Sequence, residues 1–414
     1  MEHFQSDSFD LTHRTISGLL GQRLFGVPYI PEKDVDWADV ARESKNQAVF
    51  YQVFGDYHRL SGIPGEIKDK LWSLLARGMM KNAQVHAQHT DLHELLTAHG
   101  IPYVILKGAA SARYYPDPQS RAMGDVDFYI GEADFDRALA LCQDAGFQAS
   151  DMDHICHIVL RKGRIHMEMH RMPAGVPDGK MGEIVKGYLE NLCEDGGLVQ
   201  NSLVTCRCPS DFHHGLIMLM HMQHHLLAEG IGLRHLSDWA VFVNHFQGEE
   251  FPNLFRAKLK AVGLWKLARL LSLCAVEYMG LPQQNWMIES EQDRELAKSL
   301  MEDILAGGNF GAKDRQRIYE GLFISNRGKE GVRSSRIQTG FQALTRITYM
   351  KYPFIEKHPV LLPAGWVAAF GGYLIRTRKR NQKGQDVHTL SAFQKSMTRS
   401  SLYRQLGLYE PERE

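Results

Sequence analysis

The stretch Gly124-Asp125-Val126-Asp127-Phe128-Tyr129-Ile130 sets two carboxylates one residue apart at the head of an apolar run that reads as a strand. Side chains alternate across a strand, so Asp125 and Asp127 project to the same face. Two anions aimed at one point repel each other unless a cation lies between them. Working outward, His166-Met167-Glu168-Met169-His170 is a second strand-like segment. Ile165, Met167 and Met169 form its apolar side, and His166, Glu168 and His170 its polar side. Glu168 supplies a third carboxylate, placed for metal binding and for a general-base role near an acceptor hydroxyl. His170 is read either as a group that orients the site or contacts phosphate, or as a structural histidine. Upstream, Lys107-Gly108 follows a short apolar strand over 103–106, and such a turn offers backbone N–H groups and a cation to phosphate. Arg121 is read either as a phosphate clamp or as an ion pair holding its loop. Together these parts predict metal-assisted phosphoryl or nucleotidyl transfer.

The composition narrows the classes. A chain of 414 residues with 44% hydrophobic and 23% charged residues is globular and long enough for two or three domains. The zero formal net charge gives no general attraction to long nucleic acid. Met1–Thr15 has no apolar run of the signal-peptide kind, and six scattered cysteines suggest reduced thiols, so a cytoplasmic protein is expected. Cys206-Arg207-Cys208 is too tightly spaced, and lacks the second pair, for a zinc knuckle.

Apolar periodicity predicts a helical region over 1–100, with Leu71, Leu74, Leu75 and Met79 on one face and a break at Ser61–Gly65. A small α/β core is expected over 101–210. It comprises the 103–106 strand, a helix from Ala109, the Asp125 strand, a helix through Phe135–Cys142 closed by Gly146, and a hairpin turning at Arg161–Arg164. The 211–414 region reads as mainly helical. The fold class is therefore α+β, a small mixed sheet flanked by helical regions. Pro359–Ile375 is uncharged and precedes Arg376, Arg378, Lys379 and Arg380, which allows a buried helix or peripheral membrane contact through 359–380.

The motifs Leu106-Lys107-Gly108-Ala109-Ala110, Tyr114-Tyr115-Pro116-Asp117-Pro118, Arg121-Ala122-Met123-Gly124-Asp125-Val126-Asp127 and Glu168-Met169-His170 resemble an uncharacterised bacterial nucleotidyltransferase family of the polymerase-β-like superfamily. His221, His225, Arg234 and Asp238 extend the likeness into the helical region. The superfamily's usual Gly-Ser turn is absent, and Lys107-Gly108 stands in its place. The resemblance implies Mg2+ or Mn2+ held by Asp125, Asp127 and Glu168, and an NTP such as ATP held by Lys107, Gly108, Arg121 and His170. It also implies transfer of the NMP to a hydroxyl-bearing small molecule or protein, with release of pyrophosphate. The alternative is a catalytically inactive nucleotide-binding scaffold or a membrane-peripheral assembly factor. Of the histidines at 213, 214, 221, 224, 225 and 235, His221 and His225 share a helix face. Packing, or contact with the nucleotide cleft, is the simpler expectation for them than zinc. Arg234 and Asp238, four apart, read most simply as a helical ion pair, with an active-site role as the alternative. Three converging carboxylates also predict that Asp127→Asn leaves the ligand-free protein as stable or more so.

Overall fold

The computed structural model describes residues 9–150, 156–177 and 179–314, and beyond these 317, 345, 348–349, 352, 354–368, 399 and 401–408. Four helices open the chain: α1 (Leu11–Phe25), α2 (Trp37–Asn46), α3 (Phe50–Phe54) and α4 (Gly65–Ala98). Asp10 and Asp36 cap α1 and α2 by accepting backbone N–H bonds, and Gly26 closes α1 in the left-handed conformation. The 34 residues of α4 make a rod about 50 Å long at 1.5 Å per residue. Its buried positions, Leu71, Leu75, Gly78, Asn82, Val85, His89, Leu92 and Leu96, recur every three or four residues along one side. Met79, expected on that side, is 55% exposed.

Next come β1 (Tyr103–Ile105), α5 (Ala109–Ala112), β2 (Val126–Ile130), α6 (Phe135–Asp144), β3 (Gln148–Ser150), β4 (His157–Lys162) and β5 (Ile165–His170). The five strands form one mixed sheet in the order β1-β2-β5-β4-β3. Only β2 and β5 run parallel, with Asp127 opposite Glu168 and Tyr129 opposite His170. One face of the sheet carries Ile105, Val126, Phe128, Ile130, Ile158, Leu160, Met167 and Met169. These pack with Leu92 and Leu96 of α4 and Phe135, Ala138 and Cys142 of α6. Each such fully buried side chain contributes roughly 1.5–3 kcal/mol. The other face carries the acidic residues.

A two-stranded ribbon, β6 (Gly197–Gln200) with β7 (Thr205–Cys208), follows α7 (Gly179–Tyr188). No periodicity announced it. The chain then forms α8 (Asp211–Leu227), α9 (Leu233–Asn244), α10 (Glu250–Ala261), α11 (Trp265–Met279) and α12 (Gln292–Gly307). They pack with α1–α3 around Leu216, Trp239, Phe255, Trp265, Leu271 and Leu300. The architecture is α+β, as the sequence predicts. Beyond these, Pro359–Leu361 is a single 3-10 turn, followed by helix over 362–368, with Val360 91% and Val367 74% exposed. The rest of the 359–380 stretch lies outside the described residues, and among the described ones no helix is long and apolar enough to cross a membrane.

Candidate functional site

The sheet register brings the carboxylates together. Because β2 and β5 run parallel with Asp127 opposite Glu168, the side chains of Asp125, Asp127, His166, Glu168 and His170 share the face turned away from the apolar core. The hairpin pairing of β4 with β5 puts His157 opposite His170 on that same face. Sequence reading passed over His157, although counting back from the Arg161–Arg164 turn leads to it.

The two aspartates have opposite surroundings. Asp127 is buried, and its Oδ1 accepts from Lys107 Nζ at 2.9 Å and from His170 Nε2 at 3.1 Å. Burial alone would raise its pKa, but Lys107 and hydrogen-bonded His170 prevail and hold the carboxyl far below the ordinary range. The His170 imidazole is itself raised. Burial opposes its charge, but hydrogen bonds to Asp127 and to Glu168, 3.4 Å away, favour it. Asp125 lies on the open side, with His166 Nδ1 at 3.3 Å from its Oδ2. Burial and then the neighbouring charges of Asp127 and Glu168 push its carboxyl up. The like-charge crowding foreseen for the pair thus falls on Asp125.

Among the described residues, two groups of side chains could hold a cation: Asp125 with His166 and Glu168, and His157 with Glu168 and His170. In each, one ligand atom per residue lies within 4.8 Å of the others, and Glu168 belongs to both. The carboxylates are hard oxygen donors that suit Mg2+, and the imidazoles add donors acceptable to Mn2+. The raised carboxyl of Asp125 is the electrostatic strain that a divalent cation would relieve, so the residues fit such an ion. Asp127, expected from sequence among the ligands, is in neither group; Lys107 and His170 occupy it.

The turn that carries Lys107 is set by β1. Its ladder beside β2 ends with Leu106 N–H donating to the Asp127 carbonyl at 2.9 Å, and Lys107 is the next residue. Gly108 turns the chain at φ +61°, a conformation that side chains disfavour, directly into α5. The loop ahead of Asp125 is clamped to α4 by Asn82, which donates to the carbonyls of Gln119 and Arg121 and accepts from Met123 N–H. No sequence pattern pointed to Asn82.

Arg121 is turned into the protein. Its Nε and Nη2 each donate to Asp238 of α9 at 2.7 Å, and Tyr115 Oη donates to the same carboxylate at 2.7 Å. The loop-holding ion pair weighed from sequence is therefore present, with its partner on a distant helix. The helical pair expected between Arg234 and Asp238 is corrected by the same contacts. Asp238 is engaged by Arg121 and Tyr115, and among the described residues no carboxylate lies within ion-pair distance of Arg234. The Cys206 and Cys208 thiols are buried 3.8 Å apart and join no metal-binding group among the described residues.

The α+β core with its acidic strand face matches the model of the uncharacterised nucleotidyltransferase family over residues 33–280. The match covers more than half of the chain, and the protein belongs to that family. A comparison with curated proteins gives no match.

Proposed function

We propose that this protein is a divalent-metal-dependent nucleotidyltransferase of the polymerase-β-like kind. It would move an NMP from an NTP, ATP among the possible donors, to a hydroxyl group of a small molecule or protein and release pyrophosphate. The observation that carries the proposal is the convergence of Asp125, Asp127 and Glu168 on one sheet face, in a chain of nucleotidyltransferase family. Asp125 and Glu168, with His166, would hold a cation, and His157 and His170 provide a second grouping around Glu168. When bound, such ions neutralise phosphate oxygens and favour ionisation of an attacking hydroxyl.

The chain's own residues divide the remaining work. The side chain of Lys107 is 28% exposed while it donates to Asp127, so its ammonium can also meet a phosphate oxygen on the open side. Gly108 adds no side chain to that approach. The Glu168 side chain, 22% exposed, would take the proton of the acceptor hydroxyl. That oxygen then bonds to the α-phosphorus, and the bond from the α-phosphorus to the oxygen bridging to the β-phosphate breaks. The electron pair leaves on pyrophosphate. Asp127 holds Lys107 in place by charge and accepts a hydrogen bond from His170. Arg121 acts at a distance, by fixing the Asn82-clamped loop against α9 through Asp238.

The decisive experiment incubates the full chain with Mg2+ or Mn2+ and each NTP in turn. It follows pyrophosphate release and transfer of label to cellular metabolites and proteins. Glu168→Gln and Asp125→Asn should each remove transfer. NTP binding equally tight with and without EDTA, or label transfer that survives both substitutions, would sink the assignment.

A further inference from the structure

Beside the carboxylate face lies a cluster of positive and imidazole groups that the reaction above does not use. Arg234, in the first turn of α9, has a buried Nε with no hydrogen-bond partner, and no carboxylate within ion-pair distance among the described residues. A buried Nε–H without a partner is costly, and the half-buried guanidinium that carries it keeps its outer nitrogens free to meet a ligand. Three histidines surround it. His221 and His225, one turn apart on α8, face each other with 3.1 Å between their Nε2 atoms. His235 accepts from Gly232 N–H through Nδ1, which leaves the proton on Nε2, and that buried atom has no partner.

Phe310 closes the cluster. Its ring lies 4.6 Å from the His225 centroid and 4.9 Å from that of His235, and the Arg234 guanidinium sits over it at 5.3 Å. The loop that delivers it is strained. Phe310 has φ +54° and is flanked by Gly308 and Gly311 at +68° and +66°. A non-glycine residue held in that region by its surroundings is found disproportionately at ligand sites. Phe310 remains 39% exposed, so the cluster opens to solvent.

The cluster adjoins the nucleotidyltransferase face. Helix α5, directly after Lys107-Gly108, packs on α9, and so does the turn of Asn309–Gly311. Burial and then the charge of Lys107 disfavour protonation of His221, and burial and then Arg234 disfavour that of His235. Arg234 is itself acted on by burial, then Arg121 and Asp238, and more weakly by Asp125. Lys107, which donates to Asp127, thus links the acidic face to the histidine cluster.

We propose that Arg234, together with His235 Nε2, forms an oxyanion pocket that binds a phosphate group of the substrate, walled by the His221–His225 pair, whose nitrogens bond each other and Glu229. Arg234 offers the planar fork that suits phosphate oxygens, and the His235 Nε2–H supplies a directed donor. Phe310 stacks on the guanidinium and fixes its plane. The inference rests on the nucleotidyltransferase reading only for where the phosphate comes from: the triphosphate of the donor or a phosphate carried by the acceptor.

Calorimetry on the full chain in EDTA, with inorganic tripolyphosphate and pyrophosphate as probes, tests the pocket without the cation site. The wild type should bind, and Arg234→Gln should bind at least tenfold more weakly with an unchanged melting temperature. Arg234→Lys, which keeps the charge, should recover part of the affinity. Wild-type affinity in Arg234→Gln overturns the pocket, as does a loss in both variants that follows a shared fall in melting temperature. Repeating the titration with NTP and Mg2+ separates the sources. A parallel loss in Arg234→Gln assigns the pocket to the donor triphosphate, and unchanged NTP binding assigns it to phosphate on the acceptor. Asp125→Asn should keep tripolyphosphate binding while losing transfer. Failure of the catalytic reading therefore leaves the pocket standing, and failure of the pocket leaves transfer untouched.

Discussion

Arg121 and Arg234 both lie near Asp238, yet only Arg121 obtains it. At the seam between the Asp125 loop and α9, Arg121 gives two 2.7 Å hydrogen bonds to Asp238, and Tyr115 adds a third. One turn earlier on α9, Arg234 has an open Nε, and Asp125 beside it has a carboxyl pushed up by burial and by like charge. The first region is electrostatically closed and holds two parts of the molecule together. The second is left open on both signs of charge, which costs stability and gains nothing until a ligand arrives. On the proposed reading, charge balance in the ligand-free protein separates residues that build the fold from residues that await a substrate.

The largest effect should come from breaking the closed region. Asp238→Asn leaves Arg121 buried without its counter-charge and close to Arg234, and a loss of about 3–5 kcal/mol in a denaturant melt is expected. Replacing both partners with apolar residues of similar size should cost much less. An Asp238→Asn protein as stable as the wild type would show that the seam is not held by charge.

Glu43 sharpens the same point at a smaller scale. Its carboxylate accepts from Lys313 at 2.9 Å and from Gln47 at 2.8 Å, and lies 3.3 Å from His13. Burial opposes the charge, but His13, Gln47 and Lys313 hold the carboxyl down at about 2. A lowered folded value means that the stabilisation is complete above the ordinary value of 4.5 and is lost as pH falls toward about 2. The stability difference between wild type and Glu43→Gln, followed across that window, should shrink with acidification. A difference that stays constant would remove Glu43 from the closed class. Because Lys313 follows the Phe310 loop, the same substitution also reports on that loop's anchoring.

The smallest expected changes contrast the two aspartates. Asp127→Asn leaves Lys107 without its buried counter-charge and His170 without its charged acceptor, so the ligand-free protein should lose about 1–3 kcal/mol. This reverses the expectation from three repelling carboxylates. That expectation passes to Asp125, where Asp125→Asn should leave stability unchanged or raise it by up to ~1 kcal/mol. Thermal melts of both variants without ligand decide the matter, and equal destabilisation by the two would erase the distinction.

Much of this was legible along the chain because it is local. Alternation in Asp125–Ile130 and Ile165–His170 placed the carboxylates and histidines on one face, and the structure keeps Met167 and Met169 on the other. Gly230, Gly280 and Gly307-Gly308, residues that interrupt a helical pattern, fall where α8, α11 and α12 end. The ribbon of β6 and β7 was not legible, since strands of four residues carry too few alternations to register.

What the sequence by itself determined is the inventory and its parity: which carboxylates share a strand face, where helices begin and stop, and that a Lys-Gly turn precedes them. Only the tertiary structure decided how those charges are spent. Arg121 meets Asp238 across 117 positions and Lys107 meets Asp127 across 20, and neither spacing is a period of helix or strand. Two aspartates with the same parity and nearly the same neighbours in sequence acquire opposite electrostatics because one is buried against Lys107 and His170. The other faces the opening. Burial and long-range pairing set the energy of a charge, and both are properties of the packed chain rather than of any segment of it.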